Sequence, residues 1–269
     1  MQDLVEKFLD YSAIRKSRNT VIAYKQDLSQ FLRYLDCDIL ETIPNQVDSF
    51  LIGLHLSRTS LSRKLATITT FFDYLIKQEI LQNNPARKVE RFRLPKRKPD
   101  FLSISELSIM RNSSINTSVL VEFLLSTGVR VSEASSLNIR NVDFTKREAR
   151  VIGKGNKERI VKFSKACLNI LQAYLSMRSD SNEALFISNK GKRLTRSGIY
   201  YRIRKVGKGV RRTYPHLLRH TFATYLLDGG ATLSEVQQLL GHEDMKTTSV
   251  YIHPTAALGE RYDEAIDKI

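Results

Sequence analysis

Five histidines occur in the 269-residue chain, and four of them fall between positions 216 and 253. His216 and Arg219 stand three apart in YPHLLRHTFATYLLDGG (214–230), which has the marks of a helix opened by Pro215 and closed by Gly229-Gly230. Residues three apart share a helix face, so a guanidinium and an imidazole project together near the helix start. That pairing suits an oxyanion such as a phosphate. His220 lies one turn beyond His216, the spacing of paired zinc ligands on a helix. Arg219, a fixed cation on the same face, argues against a metal, and no Glu or Cys stands at a matching third position. No metal and no other cofactor is expected. The capping box Thr232-Leu233-Ser234-Glu235 introduces a further helix ending at Gly241, which sets His242 just past a helix end. Tyr251 follows nine residues later. Taken singly, each of these is most simply a hydrogen-bonded core or surface side chain; their ordered run points to a site.

Other elements must hold that run in place. An apolar helix over 119–125 ends at Thr127-Gly128 and presents Arg130 before a new helix begins. In REARVIGKGNKERIVKF (147–163) two β-prone runs flank Gly153-Lys154-Gly155-Asn156-Lys157, a hairpin signal. Spacing alone leaves Lys154 and Lys157 as rivals on that turn. Residues 1–92 read as helices: Leu4, Phe8, Tyr11 and Ile14 recur at helical spacing, as do Val21, Tyr24, Leu28, Phe31, Leu32 and Leu35. The pattern returns over 59–76 with Leu61, Leu65, Ile68, Phe72 and Leu75, and Asn83-Asn84-Pro85 is the predicted stop. Residues 93–102, RLPKRKPDFL, carry two prolines and four bases without apolar period and read as an extended linker. A second, mostly helical domain follows over 103–269. The expected fold is mainly α, in two domains, with one small β-hairpin or sheet.

Composition narrows the partner. At 42% hydrophobic and 26% charged, with twelve Gly and six Pro, the chain is a globular protein and not a low-complexity or collagen-like one. No stretch approaches the ~20 apolar residues that span a bilayer, and MQDLVEKFLDY lacks the layout of a secretory signal. An intracellular, cytoplasmic protein without a membrane partner is expected. Cys37 and Cys167 lie far apart within apolar helical patterns and read as buried thiols. The formal net charge is +15. Residues 1–92 hold 13 bases and 11 acids, whereas residues 103–269 hold 26 and 16. The densest run, 190–212, has ten bases and no acid. A solvated face usually mixes signs. A single-sign run interleaved with Tyr200 and Tyr201 fits a phosphate backbone better. Lys192, Arg193, Arg196, Arg202, Arg204 and Lys205, with the linker bases Lys96, Arg97 and Lys98, are the candidate nucleic-acid contacts.

LLRH (217–220) after His216, LLGH (239–242) and Tyr251 resemble the carboxy-terminal signature of the tyrosine recombinases, the phage-integrase family. STGVRVSEASSL (126–137) resembles that family's first catalytic box, and VIGKGNKERIV (151–161) its hairpin with the catalytic lysine. LSRKLATITTFFDYL (61–75) followed by NNPA (83–86) resembles the core-DNA-binding domain of the Xer branch. The resemblance spans essentially the whole chain, and the absence of an extra arm-binding segment before residue 1 also points to that branch.

The resemblance implies a two-domain clamp around duplex DNA, with core-DNA binding in 1–92 and catalysis in 103–269. It implies Tyr251 as the nucleophile forming a 3′-phosphotyrosyl bond, and Arg130 and Arg219 as the phosphate-clamping pair. Lys154 would protonate the leaving oxygen, and the family match favours it over Lys157. His216 would assist as base, His242 would donate to the phosphate, and Glu133 would support the site. Fixed cations in place of a metal suit this reaction, because charge builds on the non-bridging oxygens. Implied partners are a duplex core site and further copies of the chain, two on a site and four in the synapse. The expected function is site-specific recombination, of the Xer type that resolves chromosome or plasmid dimers. A mobile-element integrase, a type IB topoisomerase and a non-catalytic DNA-binding regulator are the alternatives. An amphipathic tail over 258–269 is expected to dock on a neighbouring protomer, folding back at home being its rival.

Overall fold

The computed structural model describes residues 2–93, 100–153, 156–241 and 267. The chain divides into two compact units, Met1–Lys96 and Arg97–Ile269.

In the first unit, four helices are set by local signals. They are α1 (Gln2–Ala13), α2 (Arg18–Tyr34), α3 (Pro44–Gly53) and α4 (Arg58–Lys77). Ser17 and Ser57 accept from the backbone N–H three residues on and so cap α2 and α4, while Pro44 opens α3 at its first position. The apolar stripes meet in a core that includes Phe8, Leu28, Phe31, Ile68, Phe71 and Phe72. Two sequence expectations shift here. Ile14 lies beyond the end of α1 and is 83% exposed, so it takes no part in the core. The predicted stop at Asn83-Asn84-Pro85 is instead a start. α4 already ends at Lys77, with Glu79 in the left-handed region, and Asn84 caps a 3-10 turn over Pro85–Lys88. Its side-chain amide also donates to Thr69 O and Asp73 Oδ1, which straps that turn to α4.

Two cations of this unit close on a buried acid. Asp27, 1% exposed on α2, accepts from Arg63, from Lys64 Nζ at 2.8 Å and from Thr67 Oγ1 at 3.0 Å, all on α4. Burial pushes the Asp27 carboxyl up, but the bonds from Arg63 and Lys64 outweigh it and hold the group below the usual carboxylate range.

The second unit surrounds α6 (Ile115–Thr127), whose residues 118 to 127 are all buried. A helix that is apolar all round belongs in the interior. Against it pack α8 (Lys165–Ser176), α9 (Arg196–Val206) and α10 (Pro215–Asp228), with α5 (Ile104–Arg111) at its edge. Two further α-helices are α7 (Val131–Ser136) and α11 (Leu233–Leu240). The expected hairpin is present as β2 (Glu148–Ile152) and β3 (Glu158–Lys162), antiparallel, with Val151 opposite Arg159. A strand of two residues, β1 (Val142–Asp143), widens it to an antiparallel sheet in the order β1-β2-β3, too short to leave a periodic trace in the sequence.

Both cysteines are free. Cys167 is buried on α8, where burial pushes its thiol up. Cys37 is half-buried in a bend and not in a helix, its sulfur accepting from Gln46. No helix among the described residues is long and apolar enough to cross a membrane.

Candidate functional site

Three helix ends converge in the second unit. α6 stops at Gly128, whose φ of +59° is a conformation that L side chains rarely adopt. A Cβ there would also fall 2.3 Å from the Phe222 ring. The tight turn lets Arg130 become the N-cap of α7, its backbone N–H donating to Glu133 Oε2 at 2.8 Å. Arg219 projects from α10 into the same place and is 4% exposed. Its Nη1 donates to Gly128 O and its Nη2 to Leu240 O, both at 2.6 Å. Arg130 Nη2 donates to the next carbonyl, Gly241 O, at 3.2 Å. Two guanidiniums from separate helices are thus tied to successive carbonyls at the end of α11. That helix is built as predicted, with Thr232 and Glu235 forming the capping box at its start and Gly241 left-handed at its end.

Burial, with the Arg130 cation beside it as the next cause, brings the Arg219 guanidinium down to about 10. It remains protonated at neutral pH. Each guanidinium has five N–H donors, and two carbonyls, or a carboxylate and a carbonyl, do not exhaust them. The pair can therefore clamp an oxyanion.

Glu133 is the anion of this centre and is 2% exposed. It accepts from Arg130 Nη1 at 3.2 Å, and Arg159 on β3 takes both its oxygens at 2.9 and 2.8 Å. Burial pushes the Glu133 carboxyl up, but the Arg159 and Arg130 bonds outweigh it and hold the group below its ordinary value. The pairing of Arg130 with Glu133, which in the sequence alone looks like a surface bridge of little consequence, is therefore part of a buried centre. Sequence periodicity gave Arg159 no role. The signal was present in strand alternation: Arg159 shares a face with buried Val161, and a base on an inward strand position implies a buried acid.

His216 and His220 are both exposed on the first turns of α10, their ring centroids 4.5 Å apart. Among the described residues, no group of three or more His, Cys, Asp and Glu could hold a metal ion. Lys154, His242, Tyr251 and the linker bases Lys96, Arg97 and Lys98 lie outside the described residues. Lys157, the rival on the hairpin, is exposed and its carbonyl accepts from Gly153 N. Of the tail over 258–269, Asp267 is described. It accepts from Lys165 N at 2.9 Å and pairs with Arg147, contacts within its own chain that favour the home-packed alternative at that residue.

The basic run over 190–212 separates into two kinds of side chain. Arg193 is turned inward to Ser135 O, Leu137 O and Asn138 Oδ1, and Arg202 to Asn116 O, Ile187 O and Asn189 Oδ1. These two fasten loops, so their donors are shared with the protein's own carbonyls. Arg211 likewise pairs with Asp100 and Glu106. Arg196, Arg204 and Lys205 are exposed along α9, and Lys192 is exposed in the turn before it. With Tyr200, Tyr201 and Lys208 the α9 cations line a concavity of about 740 Å³ that has no acid on its wall. The first unit has its own basic concavity, of about 800 Å³, between α2 and α4. Lys25, Arg33, Arg63 and Lys64 line it, with Asp27 among them, and the sequence had not marked them.

Comparison with known proteins shows the family of the chain. Residues 100–257 match the phage integrase family, and residues 5–79 match the phage integrase N-terminal SAM-like domain. Tyrosine recombinase XerD of Oceanobacillus iheyensis is 35% identical over 280 residues, covering 94% of each chain. Tyrosine recombinase XerC of Pediococcus pentosaceus is 32% identical over 286 residues, again covering 94% of each. Among solved structures, XerA recombinase is 30% identical with a TM-score of 0.52, covering 97% of this chain and 98% of that one. A lambda integrase dimer bound to a core site shares the fold at 16% identity, with a TM-score of 0.75, covering 94% of this chain and 99% of that one.

Proposed function

Because the chain belongs to the phage integrase family, the tyrosine recombinases, we propose that Tyr251 is the nucleophile with which it cuts DNA and that Arg130 and Arg219 clamp the phosphate under attack. The enzyme is a site-specific recombinase of the Xer type, cleaving and rejoining DNA strands. The observation that carries the residue assignment is the convergence of Arg130 and Arg219 on the carbonyls of Gly241 and Leu240, directly before His242 in the chain.

In-line attack by the Tyr251 phenol oxygen on phosphorus forms the phosphotyrosyl ester and breaks the bond to the 5′-oxygen of the next nucleotide. Negative charge grows on the two non-bridging oxygens, and two fixed guanidiniums answer it without reorganising. A phenol ionises near pH 10, so its proton must be taken up; His216, exposed three residues before Arg219, is suited to that role. Lys154 next to Gly153 protonates the departing oxygen, and His242 donates to the phosphate. The ester conserves the bond's free energy, so a second 5′-hydroxyl reverses the step without a nucleotide cofactor.

The amino-terminal domain (1–92), the linker (93–102) and the catalytic domain (103–269) then grip a duplex core site as a clamp. Lys96, Arg97 and Lys98 track the backbone between them, and Lys192, Arg196, Arg204 and Lys205 contact phosphates from the catalytic domain. The lambda integrase dimer on a core site is the template for two copies on one site, with four in the synapse. Resolution of chromosome or plasmid dimers in the cytoplasm is the role this reading favours, above integration of a mobile element.

Tyr251→Phe tests the assignment, since it removes the attacking oxygen alone. The variant should bind duplex with unchanged affinity and give no covalent adduct on nicked DNA. An adduct formed by this variant, seen as a shifted band in denaturing gels, would transfer the role to another tyrosine.

A further inference from the structure

The bonds that reach Glu133 are unequal. Arg159 holds both carboxylate oxygens at 2.9 and 2.8 Å, while the Arg130 side chain reaches one of them at 3.2 Å. The strong partner of Glu133 is therefore the strand arginine and not the residue assigned to the phosphate.

This matters for charge. A guanidinium paired tightly with a carboxylate is a weak clamp for an anion, because the acid beside it cancels its field. Arg130, Arg219 and Glu133 alone sum to one positive charge in a buried centre. Arg159 restores the second. Glu133 can then orient Arg130 through the backbone N–H and one longer side-chain bond without quenching it.

The surroundings leave the Arg159 guanidinium little other choice of place. A Cβ on Gly153 would lie 3.2 Å from its Nη1 and 3.4 Å from Glu133 Oε1, and a Cβ on Gly241 would lie 3.5 Å from its central carbon. The group is packed between the hairpin and the end of α11, both nitrogens of its fork committed to Glu133. Among the hydrogen bonds and charges that stabilise the ionised carboxyl, Arg159 is the largest contributor.

We propose that Arg159 is a positioning residue for strand cleavage, neutralising Glu133 from the hairpin side so that Arg130 keeps its full charge for the scissile phosphate. This rests on the reading of Arg130 and Arg219 as the phosphate clamp.

The test uses the full chain and nicked duplexes carrying a site selected for binding from the protein's own genome. Arg159→Gln should slow covalent adduct formation about 100-fold, the loss typical of a weakened oxyanion contact, and change duplex affinity by no more than a few-fold. Glu133→Gln alone keeps an amide oxygen to accept from Arg130 and should be at least tenfold faster than Arg159→Gln. Adding it to Arg159→Gln should restore the rate to that of Glu133→Gln alone, since no uncompensated acid remains. On a methylphosphonate site, whose neutral phosphorus centre demands less positive charge, the Arg159→Gln defect should shrink at least tenfold. Should Arg159→Gln lose duplex binding through misfolding, Arg159→Lys takes its place. It keeps the cation and loses the fork, and most of the rate should survive. A double variant as slow as Arg159→Gln, an equal defect on methylphosphonate, or an Arg159→Lys as inactive as Arg130→Ala would each overturn the charge role. Wild-type cleavage by Arg159→Gln while Arg130→Ala is inactive would do the same. Wild-type cleavage by Arg130→Ala would instead sink the clamp reading on which the inference stands.

Discussion

Asp27 in the first unit and Glu133 in the second are both buried carboxylates shared by two cations, one enclosed and one exposed, yet the groups around those cations differ. Lys64 is 4% exposed and donates also to Gln30 at 2.5 Å, and Thr67 adds a further bond to Asp27, which fastens α2 to α4. The Arg63 side chain stays 51% exposed on the concavity between those helices. Arg130, with a side chain 37% exposed, divides its bonds between Glu133 and a backbone carbonyl and keeps donors available. A buried acid with two bases is thus not in itself the mark of a reactive centre. Arg63 has donors to spare as well, so the distinguishing feature is the second cation, Arg219, fixed beside Arg130.

Removing each acid should separate the two. Glu133→Ala should slow cleavage by DNA-saturated enzyme about 100-fold or more, because Arg130 loses its orientation. Its cost in stability should be roughly 3–5 kcal/mol, because Arg159, packed between the hairpin and the end of α11, is left without its acid. Asp27→Ala should differ in the kinetics, with little change in the cleavage rate of the saturated complex. It should cost roughly 3–5 kcal/mol, because Lys64 is left buried and unpaired. Hydrogen exchange of α2 and α4 amides, set beside adduct kinetics, measures both. Equal kinetic losses would erase the distinction.

A smaller effect tests the same division between committed and available cations within the basic run. Replacing Arg196, Arg204 and Lys205 by Gln should flatten the salt dependence of duplex affinity by about 0.9 in log–log slope for each phosphate no longer neutralised. Arg193→Gln should leave the slope unchanged and lower stability, since that guanidinium holds Ser135, Leu137 and Asn138. A slope that falls equally for Arg193 would return it to the DNA-facing set.

The smallest effect is on acid unfolding. Both carboxyls lie below their unfolded values in the native protein, so their stabilisation is fully present above the ordinary carboxylate range, about pH 4. It is lost as pH falls through the lower native values. Asp27→Asn and Glu133→Gln should each flatten the acid limb of the stability profile below about pH 5. The change should be larger for Asp27, whose partner Lys64 is almost fully enclosed. Identical acid limbs in wild type and variants would mean that the native bonds do not shift either group.

Helices, caps and the hairpin were legible because they are decided within a few residues. Thr232 acts on a backbone group three positions away, Gly128 and Gly241 terminate the helices that precede them, and β2 and β3 alternate around their own turn. Reading periodicity alone failed where one residue answers to distant chain, as at Asn84, which looks like a helix stop and is a strap onto Thr69 and Asp73. Asp27 and Lys64 fall within apolar stripes, where a charge implies a buried partner, but the stripe does not name it. The order of the boxes carrying Arg130, His216 and Arg219 was likewise plain in the chain. Tertiary structure alone decided that Arg130 and Arg219 meet at successive carbonyls, across separations of 111 and 21 residues, that Arg159 is the principal partner of Glu133, and that Arg193 and Arg202 are spent internally. The physical reason is that a backbone's local preference is set by its neighbours in sequence. What a charge can do is set by its neighbours in space, and those are known only when the helices have packed.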